Sequence, residues 1–220
     1  SRKHANDSAE GFSRLIDWAL RWGLLLGLPS AVGLFILSGP MIATLFQSEL
    51  FDATDVAMSR QSLMAYSLGL IAFIMIKVLA PGFYSRQDTK TPVRIAVIAM
   101  FANMFMNIIL VFPLAHAGLA LATSLSATLN AFLLYRGLRA EGVYQPEPGW
   151  LFLILRGCAA VLVMGAVLYW GVGDLQSWMG VPVSDKVWRL LQWIALGSIS
   201  YFAVLALLGI RLRHFKSHTA

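Results

Sequence analysis

A chain of 220 residues that is 58% hydrophobic and only 13% charged, with a mean hydropathy of +0.70, falls outside the soluble globular classes. The net charge of +6 arises from 17 basic and 11 acidic residues; their positions tie the excess to membrane topology and anionic lipid and leave nucleic-acid binding without a role. One cysteine, Cys158, excludes an intrachain disulfide and reads as a small helix-packing residue.

The apolar runs Trp22–Ser48, Gln61–Ile76, Ile95–Tyr135, Gly157–Gly173 and Leu190–Ile210 approach or exceed the roughly 20 residues a helix needs to cross about 30 Å of hydrocarbon. The run 95–135 holds two crossings, so the expected fold is all-α: a polytopic membrane helical bundle of about six transmembrane helices. Ser1–Arg21 lacks an initiator Met, a short apolar core and a cleavage site, so it does not read as a signal peptide, and the chain is expected to begin partway into a longer protein.

The first helix is expected to start near Asn6–Ser8, residues suited to an N-cap. Phe12, Leu15, Ile16, Ala19 and Leu20 form an apolar stripe opposite Arg14, Asp17 and Arg21. This amphipathic approach leads into Trp22–Leu37, where Pro29, flanked by Gly27 and Gly33, is a candidate bend. Proline there frees a carbonyl that a neighbouring helix must satisfy. Gly39-Pro40 marks the exit, with Met41–Phe46 as a short apolar cap. The second helix is expected over about 57–79, ending at Pro81-Gly82; the third over 93–112, stopping at Pro113; the fourth over 118–135. The fifth follows Pro146-Glu147-Pro148 and covers 150–170, and the sixth covers 187–212. The seven tryptophans fall mostly at these ends, as in an interfacial aromatic belt.

Basic residues set the orientation. One side carries Arg2, Lys3, Arg14, Arg21, Arg86, Lys90, Arg94, Arg136, Arg139, Arg211, Arg213 and Lys216. The other carries Arg60, Lys186 and Arg189 beside Glu49, Asp52, Asp55, Asp174 and Asp185. The positive-inside rule then places both ends of the chain in the cytoplasm.

No carboxylate falls at mid-membrane depth. Asp52 and Asp55 are the nearest approach to an acid pair, without a second cluster, and nothing points to bond-making catalysis or to a proton relay. His214 and His218 share helical i,i+4 spacing in the basic tail, a weak metal signal. Lys77 and Arg156 lie inside apparent spans within reach of a basic end; snorkelling accounts for both, and a Lys77 facing the bundle interior to attract an anionic headgroup is the alternative. Asn103 and Asn107 share one face of the third helix. Thr123 lies as far beyond Ala115 as Asn107 lies before it, so the two are expected level in a tight antiparallel pair. Gly118, Ala122 and Ser126 form a small-residue stripe that allows close approach. The oxygens of this set suit either plain interhelical hydrogen bonding or a monovalent cation.

The loop Ala80-Pro81-Gly82-Phe83-Tyr84-Ser85-Arg86-Gln87-Asp88-Thr89-Lys90-Thr91-Pro92 resembles the hallmark loop of the MviN/MurJ family, the lipid II flippases of bacterial peptidoglycan synthesis. Leu26-Gly27-Leu28-Pro29-Ser30-Ala31, Leu37-Ser38-Gly39-Pro40 and Gln145-Pro146-Glu147-Pro148-Gly149-Trp150 are similar to that family too. The resemblance implies the last six of fourteen helices in the multidrug/oligosaccharidyl-lipid/polysaccharide exporter fold. Residues 1–14 are then a cytoplasmic lead-in, 15–138 four helices of the second lobe, 139–149 a cytoplasmic loop, 150–212 two additional helices and 213–220 a cytoplasmic basic tail.

It further implies a location in the bacterial inner membrane, no enzyme activity, and transport of lipid II (undecaprenyl-pyrophosphate-linked disaccharide-pentapeptide) to the periplasmic leaflet. The partners are membrane phospholipids and an N-terminal lobe of the same protein. A groove for the polyprenyl tail is expected beside the fifth and sixth helices. A sodium site is implied at Asn103, Asn107, the Leu119 carbonyl and Thr123, with Asn107 where an acid can stand. Lys77, Arg86, Lys90 and Arg94 are candidates for headgroup recruitment, and Gly27, Pro29 and Gly33 for a hinge. Another exporter of the same superfamily (a cation-coupled drug antiporter or an O-antigen flippase) and a non-transporting membrane scaffold are the alternative readings.

Overall fold

The computed structural model describes residues 2–48 and 50–209. Glu49 and the tail 213–220 with His214, His218 and Lys216 lie outside the described residues, as do Arg211 and Leu212. The described residues form five α-helices: α1 (Arg2–Leu45), α2 (Ala53–Tyr84), α3 (Lys90–Ala140), α4 (Trp150–Val172) and α5 (Val183–Leu207), with a 3₁₀ turn at Leu175–Trp178. Every α-helix contains a stretch long and apolar enough to cross a membrane.

A straight α3 of 51 residues would be about 76 Å long, more than twice the hydrocarbon thickness. It is not straight. Ala115 takes φ 47°, ψ −128°, outside any helical region, and divides α3 into arms 90–114 and 116–140. Asn103 Nδ2 lies 3.5 Å from Thr123 Oγ1, whereas twenty residues along one straight helix span about 30 Å. The arms therefore fold back as a hairpin, and five helices make the six expected crossings. The expected stop at Pro113 moves to Ala115 because proline's φ is locked negative and the reversal needs a positive one. Gly118 faces the Leu110 carbonyl so closely that an added Cβ would overlap it, which is why the turn takes glycine here.

Other boundaries differ as well. The expected N-cap at Asn6–Ser8 lies inside α1, which begins at Arg2. The expected ends at Gly39-Pro40 and Pro81-Gly82 lie inside α1 and α2. Unwinding in hydrocarbon would bare backbone groups, a larger penalty than the one bond each proline removes. Pro29 shows how the loss is repaired. Lacking an N–H, it leaves the Leu25 carbonyl without its i+4 donor, and the Tyr201 hydroxyl on α5 donates to that oxygen at 2.7 Å. Asp52 and Asp55 form a capping box for α2: Asp52 Oδ1 accepts from the amides of Thr54 (2.7 Å) and Asp55 (3.0 Å), and Asp55 Oδ2 accepts from the Asp52 amide (3.1 Å).

α1 packs against α2, α4 and α5, and α2 packs most extensively on α3. One apolar core joins α1 to α4 and α5 through Leu25, Leu37, Met164, Leu168 and Tyr201. A second joins α1, α2 and the second arm of α3 through Ile16, Leu20, Leu79, Phe83 and Leu138. Gly69 of α2 meets Ser124 of α3 so tightly that an added Cβ would lie 2.8 Å from the Ser124 Cα, and Ser124 Oγ donates to the Ala65 carbonyl at 2.7 Å. Trp178, in the turn that follows α4, is buried against protein, its indole donating to the Val172 carbonyl at 3.1 Å under the Arg189 guanidinium. The cysteine expectation needs correction: Cys158 is exposed on α4, not packed between helices.

The connections 85–89 and 141–149 meet at one end of the bundle, here the basic end, where Arg86 pairs with Glu141 at 3.0 Å. The connections 46–52 and 173–182 meet at the other, acidic end, where buried Lys186 donates to Gln47 Oε1.

Candidate functional site

The hairpin brings together the four residues singled out as a cation set. Asn107 Nδ2 donates to Asn103 Oδ1 at 3.1 Å, Asn103 Nδ2 approaches Thr123 Oγ1 at 3.5 Å, and Thr123 Oγ1 donates to the Leu119 carbonyl at 2.9 Å. The residue level with Thr123 is Asn103 rather than Asn107, because the Asn103–Thr123 and Leu110–Gly118 approaches centre the pairing on Pro113 and Leu114 instead of Ala115. Asn107 joins through Asn103. Its Oδ1 is buried and accepts no hydrogen bond, and the same holds for Asn130 Oδ1 further along the second arm. Asn130 was not among the expected residues. It lies seven residues after Thr123 and hence on the same helix face, a signal present in the sequence. The donors are neutral oxygens, which suit a hard monovalent ion better than a transition metal. Among the described residues no three His, Cys, Asp or Glu side chains gather into a metal-ligating group.

At the basic end, Lys77, Lys90 and Arg94 are exposed, and so is Arg86, although Glu141 engages Arg86. Asp88 organises the start of α3 by accepting from the amides of Lys90 (3.1 Å) and Thr91 (3.0 Å). Hydrogen bonding from the Thr91 side chain, then from its amide, holds the Asp88 carboxyl below its usual pKa of 3.8.

The most developed polar cluster was not anticipated. Asp17, placed by periodicity on the solvated face of α1, is 1% exposed. Its Oδ1 accepts from the Tyr144 hydroxyl (2.7 Å), the Trp150 indole (2.7 Å) and the Glu147 amide (3.2 Å), and its Oδ2 from Arg21 Nε (2.6 Å). Arg21 also donates to the carbonyls of Glu147 (3.3 Å) and Pro148 (3.0 Å) and stacks on Trp150. Ser13 exchanges hydrogen bonds with the Gln145 backbone. Burial, then the hydrogen bond and charge of Asp17, push the Tyr144 hydroxyl pKa far above its ordinary value. The result is a clasp binding α1 to the segment that starts α4. A carboxylate whose partners lie about 130 residues away carries no local sequence signature.

Two apolar grooves flank α4. One of about 440 Å³ lies between α1, α4 and α5, lined in part by Pro29, Gly33, Met164, Gly197 and Phe202. The other, about 770 Å³, lies between α2, the second arm of α3 and α4. Of the hinge candidates, Gly33 has open space where a Cβ would stand, whereas Gly27 packs against Ile71 and Ile74.

Comparison with known proteins gives one answer. The family model described as "Lipid II flippase MurJ" matches residues 1–184. The chain is 44% identical over 219 residues to the "Probable lipid II flippase MurJ" of Vibrio cholerae, covering 100% of this chain and 42% of that protein. It is 41% identical to the "Probable lipid II flippase MurJ" of Haemophilus influenzae, covering 97% and 43% of the two chains. A solved structure titled "Lipid II flippase MurJ, inward closed conformation" superimposes with a TM-score of 0.76 at 24% identity, over 96% of this chain and 41% of that one. The chain thus spans a little over two fifths of the length of the relatives it matches.

Proposed function

Because the chain belongs to the lipid II flippase MurJ family, we propose that it supplies the last six crossings of a fourteen-helix flippase that carries lipid II from the cytoplasmic to the periplasmic leaflet of the inner membrane. The observation that carries this is the 44% identity across the whole chain to a protein named as a probable lipid II flippase. The basic end then faces the cytoplasm, in keeping with the positive-inside rule. An N-terminal lobe completes the central cavity, and the two lobes rock so that the polar head crosses shielded from hydrocarbon while the tail stays in lipid.

Within this segment the α1/α4/α5 groove takes the polyprenyl tail, supported by its apolar lining and its place beside α4 and α5. Gly33 and Pro29 border that groove and act as the bend; Gly27, tightly packed on α2, contributes least. Lys77, Lys90 and Arg94 draw the pyrophosphate toward the cytoplasmic mouth, with Arg86 released from Glu141 when it participates. Na⁺ would be held by Asn107 Oδ1, Asn103 Oδ1, Thr123 Oγ1 and the Leu119 carbonyl, and it would supply charge that ties the hairpin arms together. The unpartnered Asn107 Oδ1 supports this reading.

The test is depletion of the full-length protein in its host, followed by an assay of the leaflet that holds lipid II. Accumulation in the cytoplasmic leaflet is expected. An unchanged distribution would refute the flippase and favour a scaffold.

A further inference from the structure

We propose that the 770 Å³ groove between α2, α3 and α4 is a binding site for one phospholipid of the leaflet at the basic end, with a zwitterionic, amine-bearing headgroup. Along α2 the groove is lined from Leu68 to Leu79, a rise of about 16 Å, which is half of a 30 Å hydrocarbon layer. A site one leaflet tall fits a lipid chain. A transmembrane helix would need the full thickness and would have to leave past a closed end. That end is shut by Tyr144 and the segment from Pro146 to Trp150, which the Asp17 clasp holds in place. Ala72, Met75, Ala131, Phe132 and Ile154 give the remaining walls their apolar surface, with Thr128 and Tyr135 among them.

A polar cleft of about 500 Å³ shares Pro146, Glu147 and Pro148 with the groove and adds Glu10, Ser13 and Arg14. The ion pairs among the described residues are Arg21–Asp17 and Arg86–Glu141, and neither engages Arg14, Glu10 or Glu147. One cation and two carboxylates lining one cleft match a phosphate joined to an ammonium, and disfavour a headgroup that carries net negative charge. The site therefore selects phosphatidylethanolamine over phosphatidylglycerol. Trp150, at the closed end of the groove, lies where interfacial aromatics accompany headgroups.

The experiment uses the full-length protein, stripped of lipid in detergent and titrated with phosphatidylethanolamine or phosphatidylglycerol while adducts are counted by native mass spectrometry. One phosphatidylethanolamine is expected to bind about tenfold more tightly than phosphatidylglycerol, a difference of ~1.4 kcal/mol. Thr128→Trp fills the groove from an exposed position and should remove the adduct, as should Leu151→Trp on the facing wall; unchanged melting of either variant shows that the fold survives. Glu10→Gln with Glu147→Gln should abolish the preference. Equal binding of both lipids, adducts indifferent to both tryptophan variants, or no retained lipid in the wild type would overturn the proposal. Displacement by a polyprenyl pyrophosphate at lower concentration would also overturn it, assigning the groove to the transported tail.

Discussion

Replacing Tyr201 by Phe removes one hydroxyl and almost no volume, yet it strikes the bond that repairs Pro29. Tyr201 is 0% exposed, and its hydroxyl is 2.7 Å from the Leu25 carbonyl, which Pro29 leaves without a helical donor. A buried acceptor stripped of its partner costs about 1–3 kcal/mol in soluble proteins; side-chain hydrogen bonds in membrane helices average ~0.6 and reach ~1.7 kcal/mol. Tyr201 and Leu25 are both buried, so the upper membrane value applies and Tyr201→Phe should cost about 1–1.5 kcal/mol. Pro29→Ala restores an amide at position 29 that can donate to Leu25. In that background Tyr201→Phe should cost under ~0.5 kcal/mol, a coupling of about 1 kcal/mol. Equilibrium unfolding of the four full-length variants in mixed micelles measures it. Equal costs of Tyr201→Phe with and without Pro29 would refute the reasoning.

Asp17→Ala leaves the Tyr144 hydroxyl, the Trp150 indole and the Glu147 amide without their acceptor; at about 1–3 kcal/mol per buried group lost, hydrogen exchange across 144–150 should rise at least tenfold, and Asp17→Asn should lie between the two. Arg86→Ala with Lys90→Ala should lower complementation and raise cytoplasmic-leaflet lipid II; unchanged values of both would end the recruitment idea. Because the Asp88 pKa is depressed in the folded chain, its cap on α3 is fully present above the ordinary value of 3.8 and is lost as pH falls through the lower folded value. Exchange at the Lys90 and Thr91 amides, corrected for intrinsic rate, should therefore stay flat down to about pH 4 and accelerate only below it.

What sequence reveals here is what depends on neighbours along the chain. The crossings follow from hydrophobic length, and the Asn103–Asn107–Thr123 set from helical spacing plus one tight turn. The level of that set differs by about one helical turn, because the arms pair about Pro113 and Leu114 rather than about Ala115, and no residue of type Gly or Asn announces the positive φ at Ala115. The helix ends at Pro40 and Pro81 were misplaced because a bilayer penalises unwinding more than it penalises proline. Asp17 defeated periodicity for a different reason. Its stripe is solvated in isolation, and only the return of residues 144–150 buries it.

Six crossings from five helices require residues 85–89 and 141–149 to share one side of the membrane, with the Ala115 turn on the other. Single cysteines at Gln87→Cys, Gly142→Cys, His116→Cys and Gly180→Cys, in a Cys158→Ser background, can be challenged on intact cells with an impermeant maleimide. Immediate labelling is expected at His116→Cys and Gly180→Cys, with Gln87→Cys and Gly142→Cys protected until the membrane is opened. Labelling of Gln87→Cys and Gly142→Cys from opposite sides would contradict the hairpin and everything placed upon it.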